Sequence, residues 1–230
     1  DKAAVDRLLE HPDVAAVSFV GSTPIARHVH RTASAHGKRV QALGGAKNHM
    51  LVLPDADLDA AANAAVSAAY GSAGERCMAV SAVIAVGAIG DDLVDRIRER
   101  AEKITIGPGT DPTSEMGPLI TAAHRDKVAL YVRGAAAQGA EVVLDGTGHT
   151  VDGYEKGHWM GISLLDRVPV TSDAYRDEIF GPVLCVLRVA SYDEGLAVIN
   201  ASPYGNGTAI FTRDGGAARR FQLEAQAGMV

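Results

Sequence analysis

The chain has 230 residues, 47% of them hydrophobic, and its 22 basic and 28 acidic side chains leave a net charge of −6. That length buries one substantial core, or a main domain with a smaller attachment, and basic residues scattered without a run lack the electrostatic footprint of a nucleic-acid binder. No apolar stretch reaches the roughly 18 residues of a membrane span, and the opening Asp1-Lys2-Ala3-Ala4-Val5 has no signal-peptide pattern. Two cysteines, Cys77 and Cys185, are too few for a disulfide framework. These features point to a reducing compartment, the cytoplasm or, in a eukaryote, the mitochondrial matrix.

In chain order, Val5, Leu8 and Leu9 fit one face of a short opening helix that His11-Pro12 ends. Residues 15–20 predict a buried strand running into Gly21-Ser22-Thr23-Pro24, where Thr23 can cap a helix with Pro24 in its first turn. That helix fades near Gly37. Residues 40–43 and 50–53 read as strands on either side of Gly44-Gly45, and residues 55–59 open an alanine-rich helix reaching about Tyr70. Gly71-Ser72-Ala73-Gly74 is a small-residue loop leading to Glu75-Arg76-Cys77, ahead of a strand at 80–86 and a helix over about 91–103. Residues 107–118, with three prolines and three glycines, form a long loop. A helix at 122–138, a strand at 141–144 and a Gly-rich hairpin at 145–161 follow. Strands near 162–168, 183–189 and 208–211 then alternate with helices near Asp193 and Ala217. The alternation predicts an α/β architecture with a largely parallel sheet. The first strand lacks an upstream partner and residues 225–230 carry no stop signal, so a fragment of a longer chain is expected.

Cys77 lies at the end of the small-residue loop and just before an apolar strand. Small neighbours let a substrate approach the sulfur, exposed loops on rigid scaffolds concentrate catalytic groups, and Arg76 supplies a neighbouring cation, a setting that suits a nucleophilic cysteine. The alternative is a small buried hydrophobe, as most free cysteines are. Cys185, inside the apolar run 183–187, reads as core.

Gly74-Glu75-Arg76-Cys77 resembles the cysteine motif of the aldehyde dehydrogenases, and four flanking motifs agree in order and spacing. These are Phe19-Val20-Gly21-Ser22-Thr23, Leu43-Gly44-Gly45 with Pro54-Asp55-Ala56-Asp57-Leu58, Glu178-Ile179-Phe180-Gly181-Pro182-Val183, and Tyr204-Gly205 through Phe211-Thr212. Within that family, residues 41–49 (Gln-Ala-Leu-Gly-Gly-Ala-Lys-Asn-His) and 71–79 (Gly-Ser-Ala-Gly-Glu-Arg-Cys-Met-Ala) resemble the methylmalonate-semialdehyde dehydrogenase branch. The resemblance implies an aldehyde dehydrogenase-like fold. Residues 1–45 would be the end of a Rossmann-type NAD-binding domain, and residues 46–230 most of an α/β catalytic domain. The family's oxyanion asparagine, its adenosine-ribose lysine and its first nucleotide-binding strands would precede Asp1, and its subunit-pairing segment would follow Val230. A homo-oligomer is expected of the full-length protein.

The resemblance makes Cys77 the nucleophile that forms a thioester with the aldehyde. Hydrolytic members carry Glu immediately before Leu-Gly-Gly, whereas this chain has Ala42 there. Alanine takes no proton, so a general-base contribution of typically ~10²–10⁴-fold is absent at that position. The thioester should then await a thiol, and the resemblance supplies coenzyme A. Arg76 can hold the carboxylate of a 3-oxo acid through its planar fork; the alternative is a salt bridge to Glu75 or a neighbouring acid. The implied reaction turns methylmalonate or malonate semialdehyde into propionyl- or acetyl-coenzyme A with loss of carbon dioxide.

No G-x-G-x-x-G follows a strand and no Walker-type loop is present, so pattern alone assigns no dinucleotide site. By resemblance, Ser22 faces the pyrophosphate of NAD, Gly44 lies near the nicotinamide, Glu178 bonds its ribose and Phe180 packs beside it. Each has a bland alternative: Ser22 a helix-start residue, Phe180 core, Glu178 a surface carboxylate. No metal ligand set is assigned. Three competing readings remain. One is a hydrolytic semialdehyde dehydrogenase with Glu75 as base, the second a Cys/His hydrolase pairing Cys77 with His49 or His158, and the third a non-catalytic fragment.

Overall fold

The structure, a computed structural model, describes residues 2–230. They form two compact units, residues 2–45 and 46–230. No helix among the described residues is long and apolar enough to cross a membrane.

The first unit contains α1 (Lys2–Glu10), β1 (Ala16–Val20), α2 (Thr23–Ala35) and β2 (Arg39–Leu43). The two strands pair in parallel, Ala16 opposite Arg39 and Val20 opposite Leu43. Alternation along them puts Val17, Phe19, Val40 and Ala42 against Leu9, Val29 and Ala33, the period-two pattern of a sheet with one covered face. The cap of α2 is Ser22, one residue before the Thr23 expected from sequence, and its hydroxyl makes no capping bond. A capping oxygen normally takes the N–H of the second or third helical residue; the second here is Pro24, which has none. The Thr23 hydroxyl instead accepts from Gly45 N at 3.0 Å.

The second unit is built on a six-stranded sheet of order β5-β6-β7-β4-β3-β8. Its strands are β3 (Asn48–Val52), β4 (Val80–Val86), β5 (Glu141–Leu144), β6 (Ser163–Asp166), β7 (Val183–Val189) and β8 (Thr208–Phe211). Its helices are α3 (Leu58–Tyr70), α4 (Gly90–Ala101), α5 (Ala122–Ala135), α6 (Asp173–Arg176), α7 (Tyr192–Asn200) and α8 (Gly215–Glu224). All neighbouring strands are parallel except β5 with β6. Strands β3, β4 and β7 are apolar almost without alternation and buried nearly throughout, as expected of parallel strands covered on both faces. Helix α3 starts at Asp57, whose carboxylate accepts from Ala60 N at 3.1 Å, and buries Ala61, Ala62, Ala65 and Ala69.

The expected hairpin at 145–161 contains no strand; it is the loop joining the antiparallel pair β5 and β6. It lacks the alternating apolar residues that a strand needs. Gly161 N donates to Gly146 O at 2.7 Å, and a Cβ on Gly146 would fall 2.1 Å from the Gly161 backbone. Helix α5 stops at Ala135, short of the expected 138, in a tight turn closed by Gly139 at φ 91°. The four-residue α6, capped by Ser172, is too short to leave a periodic signal.

Parallel pairing puts the amino ends of β3, β4, β7 and β8 on one edge of the sheet. Asn48 lies opposite Val80, His49 opposite Thr208, and Ala82 opposite Cys185. The segments leading into these strands, distant in sequence, therefore converge.

The core of the second unit is the source of its stability, and its central strand tests this. Ile84 on β4 is fully buried, whereas Leu130 on α5 is exposed. Ile84→Ala should lower unfolding free energy by ~2–5 kcal/mol in urea titration, while Leu130→Ala should change it by less than ~0.5 kcal/mol.

Candidate functional site

Between α3 and β4 the chain makes a tight turn in which Ser72, Ala73 and Gly74 have φ of 52°, 55° and 69°. Three left-handed residues in succession are costly for non-glycine side chains. The turn is locked from outside: a Cβ on Gly74 would lie 2.2 Å from Gly181 O, so the backbones of the two loops touch directly. Beyond the turn, Cys77 is exposed, while Cys185 is sealed in the core.

The Cys77 segment is held through its backbone. Asn48 Nδ2 donates to Cys77 O at 2.8 Å and to Ala79 O at 2.9 Å, and Asn206 Nδ2 donates to Cys77 O at 2.9 Å. The Asn48 Oδ1 accepts from Gly207 N at 3.0 Å. Neither asparagine was singled out by sequence reasoning. The available signal was Lys47-Asn48-His49, three buried polar residues at the start of an otherwise apolar strand.

Arg76 does not pair with Glu75. Its Nη2 donates to Ser67 O and Ala68 O, both at 3.1 Å, which satisfies carbonyls at the C-terminal end of α3. Gly71 leaves room for this, since a Cβ there would sit 2.7 Å from Nη2. The Nη1 and Nε protons have no hydrogen-bond partner among the described residues, so the exposed fork keeps donors for an anion. Glu75, with a side chain 9% exposed, lies 3.6 Å from His124 Nε2. Burial raises its carboxyl above the ordinary carboxylate value.

Glu178 and Phe180 stand in the segment leading into β7. Glu178 is half-buried; Oε1 accepts from Ala46 N at 2.9 Å, which leaves Oε2 without a partner among the described residues. Phe180 is exposed rather than core, and its φ of 58° is the left-handed conformation that bulky residues rarely adopt. His124 Nε2 donates to the Phe180 carbonyl at 2.7 Å. Lys47 reinforces this segment from below: its buried Nζ donates to Ala174 O and Asp177 O at 2.7 Å each, and burial lowers its pKa. Arg76, Cys77, Glu178 and Phe180 together line one small cleft with room of about 10 Å³, on the scale of a single water. A larger cavity of about 620 Å³, lined by Tyr175, Arg176, Glu194 and Val198, holds none of these four.

Ser22 and Gly44 belong to the first unit. Ser22 is exposed at the start of α2 with its hydroxyl uncommitted, and Gly44 packs its backbone against Thr23, where a Cβ would be 2.9 Å from Oγ1. Ala42 occupies an inward position of β2 beside Val40 and Phe19, so no carboxylate precedes Leu43-Gly44-Gly45. Taken one by one, these residues have chemistry that parts of NAD would need. A free hydroxyl with the unpaired N–H groups of a helix start suits phosphate, a free Glu178 oxygen suits a ribose hydroxyl, and an exposed aromatic face suits a flat heterocycle.

The Cys/His pairing finds no support in geometry. Cys77 Sγ has no imidazole hydrogen bond among the described residues; His49 is buried against Tyr175, with Nε2 3.0 Å from its hydroxyl. His158 contributes its backbone carbonyl to Leu119 N at 3.0 Å.

A profile of the aldehyde dehydrogenase family matches residues 1–230. The malonate-semialdehyde dehydrogenase of Pseudomonas aeruginosa is 54% identical over 100% of this chain and 46% of its own length. The crystal structure of methylmalonate-semialdehyde dehydrogenase from Oceanimonas doudoroffii superposes with a TM-score of 0.98 at 53% identity, covering 100% of this chain and 47% of that one. A proposed methylmalonate-semialdehyde dehydrogenase from Sinorhizobium meliloti, complexed with NAD, gives a TM-score of 0.96 at 51% identity over 98% of this chain and 46% of that one. The chain thus spans about half the length of the relatives it matches.

The buried His49 carries a pH signature. Burial, reinforced by the Lys47 charge, holds its pKa at about 4 against an ordinary 6.5. Between these values the unfolded chain binds a proton that the native chain refuses, so stability falls as pH drops from about 6.5 towards 4. The loss should be on the order of 3 kcal/mol. Urea midpoints at pH 7.0 and 4.5 should show it, and His49→Gln should remove that share of the pH dependence.

Proposed function

The chain belongs to the aldehyde dehydrogenase family, and from that premise we propose that it carries the nucleophile of an NAD-dependent, coenzyme A-acylating semialdehyde dehydrogenase. In this reading the first unit is the end of the NAD-binding domain and the second is most of the catalytic domain. The substrates are methylmalonate or malonate semialdehyde, and the full-length protein is a homo-oligomer. The observation that carries it is an exposed Cys77, fixed through its backbone, beside an arginine fork with free donors, in a chain with alanine where a hydrolytic base would stand.

The Cys77 thiolate adds to the aldehyde carbon, forming a carbon–sulfur bond and an oxyanion. NAD, when bound, supplies the hydride acceptor that makes this adduct a thioester. Within the first unit Ser22 and Gly44, and within the second Glu178 and Phe180, are the residues whose chemistry suits parts of that group. The Nη1 and Nε protons of Arg76 hold the substrate carboxylate; when it leaves as carbon dioxide, the carbon–carbon bonding pair passes into the thioester enolate, whose carbon then takes a proton from solvent. Ala42 provides no proton acceptor for water, so the acyl group persists on Cys77. The thiol of coenzyme A then attacks the thioester carbon and expels the Cys77 thiolate, a transfer that needs no strong base.

Glu75 supports a second reading, hydrolysis, because its buried carboxyl has the raised pKa that suits a general base. The two readings separate in the full-length protein. Under the acylating reading, rapid mixing with excess aldehyde gives a burst of NADH followed by a slow steady state that coenzyme A accelerates, and Glu75→Gln, which keeps the side chain's volume, leaves that accelerated rate within about threefold because no step uses the carboxylate as a base. Fast turnover to a free acid without coenzyme A, abolished by Glu75→Gln, would establish hydrolysis instead. In either case Cys77→Ala should abolish NADH formation, whereas Cys185→Ala should retain it.

A further inference from the structure

We propose that Asn48 and Asn206 are positioning residues for Cys77, two carboxamides that aim the nucleophile by gripping its carbonyl oxygen. The inference deepens the reading of Cys77 as nucleophile and rests on it. The sulfur makes no hydrogen bond among the described residues, so its own contacts do not place it. Its direction is set instead by the peptide planes on either side of the Cys77 Cα.

The Cys77–Met78 plane is fixed by two donors on one oxygen, at 2.8 Å from Asn48 and 2.9 Å from Asn206. A carbonyl has two lone pairs, and both are engaged by side chains from the amino ends of different strands. Asn48 is 4% exposed, and every hydrogen-bonding group of its carboxamide is spent on backbone: two donations to Cys77 O and Ala79 O, one acceptance from Gly207 N. Its orientation follows from those partners, since a flipped amide would set donor against donor and acceptor against acceptor. Asn206 is half-buried, and its Nδ2 also lies 3.2 Å from Met78 Sδ. The turn in front closes with Glu75 N donating to Ser72 O at 3.0 Å, and Ala79 N donates to Arg76 O at 3.0 Å; neither bond engages the Cys77 carbonyl. The clamp therefore ties the 77–79 backbone to the amino ends of β3 and β8.

Asn206→Ala and the isosteric Asn206→Asp, both lacking the donor, test this in the full-length protein. The readout is the NADH burst rate constant at saturating aldehyde and NAD, where binding is complete. Misplacement of a nucleophile by about 1 Å costs up to ~10²-fold, so a fall of roughly tenfold or more is expected. Iodoacetamide, a small reagent that needs no fixed approach, should alkylate Cys77 in the variants within about threefold of the wild-type rate, as expected when reactivity rather than geometry is read. Cys185 should stay unmodified in the same samples, which reports an intact core. An unchanged burst rate would overturn the proposal. So would alkylation of Cys185 in step with a lost burst, because the asparagine would then be structural only. A wild-type protein with no Cys77-dependent burst would sink the nucleophile reading first, a result distinguishable from failure of the clamp alone.

Discussion

The carboxamide of Asn48 is buried where three strands begin, and it makes hydrogen bonds to the backbone on both sides. A buried amide is costly unless every donor and acceptor is used. Here all three bonds go to backbone groups of the β4 and β8 approaches, so the side chain dictates their relative height. The approach to β7 is joined to the same region by different means, the backbone contact of Gly74 with Gly181 and the bond from Ala46 N to Glu178. What gathers at this sheet edge is a set of loops tied to one another rather than a set of independent side chains.

That arrangement explains how the polar groups divide their work. Lys47, Asn48 and His124 spend their hydrogen bonds on backbone carbonyls and hold segments in place. Arg76, Cys77 and Glu178 keep at least one reactive or bonding atom uncommitted. Glu75 is intermediate: its carboxylate is turned towards His124, yet burial keeps it closer to neutrality than an exposed acid. Arg76, for which a salt bridge to Glu75 was the alternative reading, is oriented instead by the Ser67 and Ala68 carbonyls in the last turn of α3, where a helix end leaves acceptor capacity.

Much of the fold was readable because its strands are short apolar runs bounded by glycine, proline and aspartate, and its helices carry caps such as Asp57, Thr121 and Asp214. Cys77 stood out through its small neighbours, and an exposed loop is where the structure has it. The 145–161 loop was misread because glycine density signals a reversal without saying whether strands flank it closely. Asn48, Asn206 and His124 were missed for a different reason. Their partners lie 29, 129 and 56 positions away, and strand order, which local pattern does not encode, brings them together. The cap of α2 moved to Ser22 because the residue spacing around Pro24 cannot reveal which hydroxyl Gly45 will claim.

The bond between Asn48 and Gly207 spans 159 positions of chain. During synthesis at about 5–20 residues per second, the first partner waits roughly 8–30 s for the second to be made. Throughout that interval β3 and β4 can pair, but their shared polar corner lacks its final donor and the cysteine loop has only part of its anchorage. The late arrival of β8 makes the order of synthesis part of the loop's assembly, since the Cys77 carbonyl cannot gain its second amide donor before Asn206 emerges.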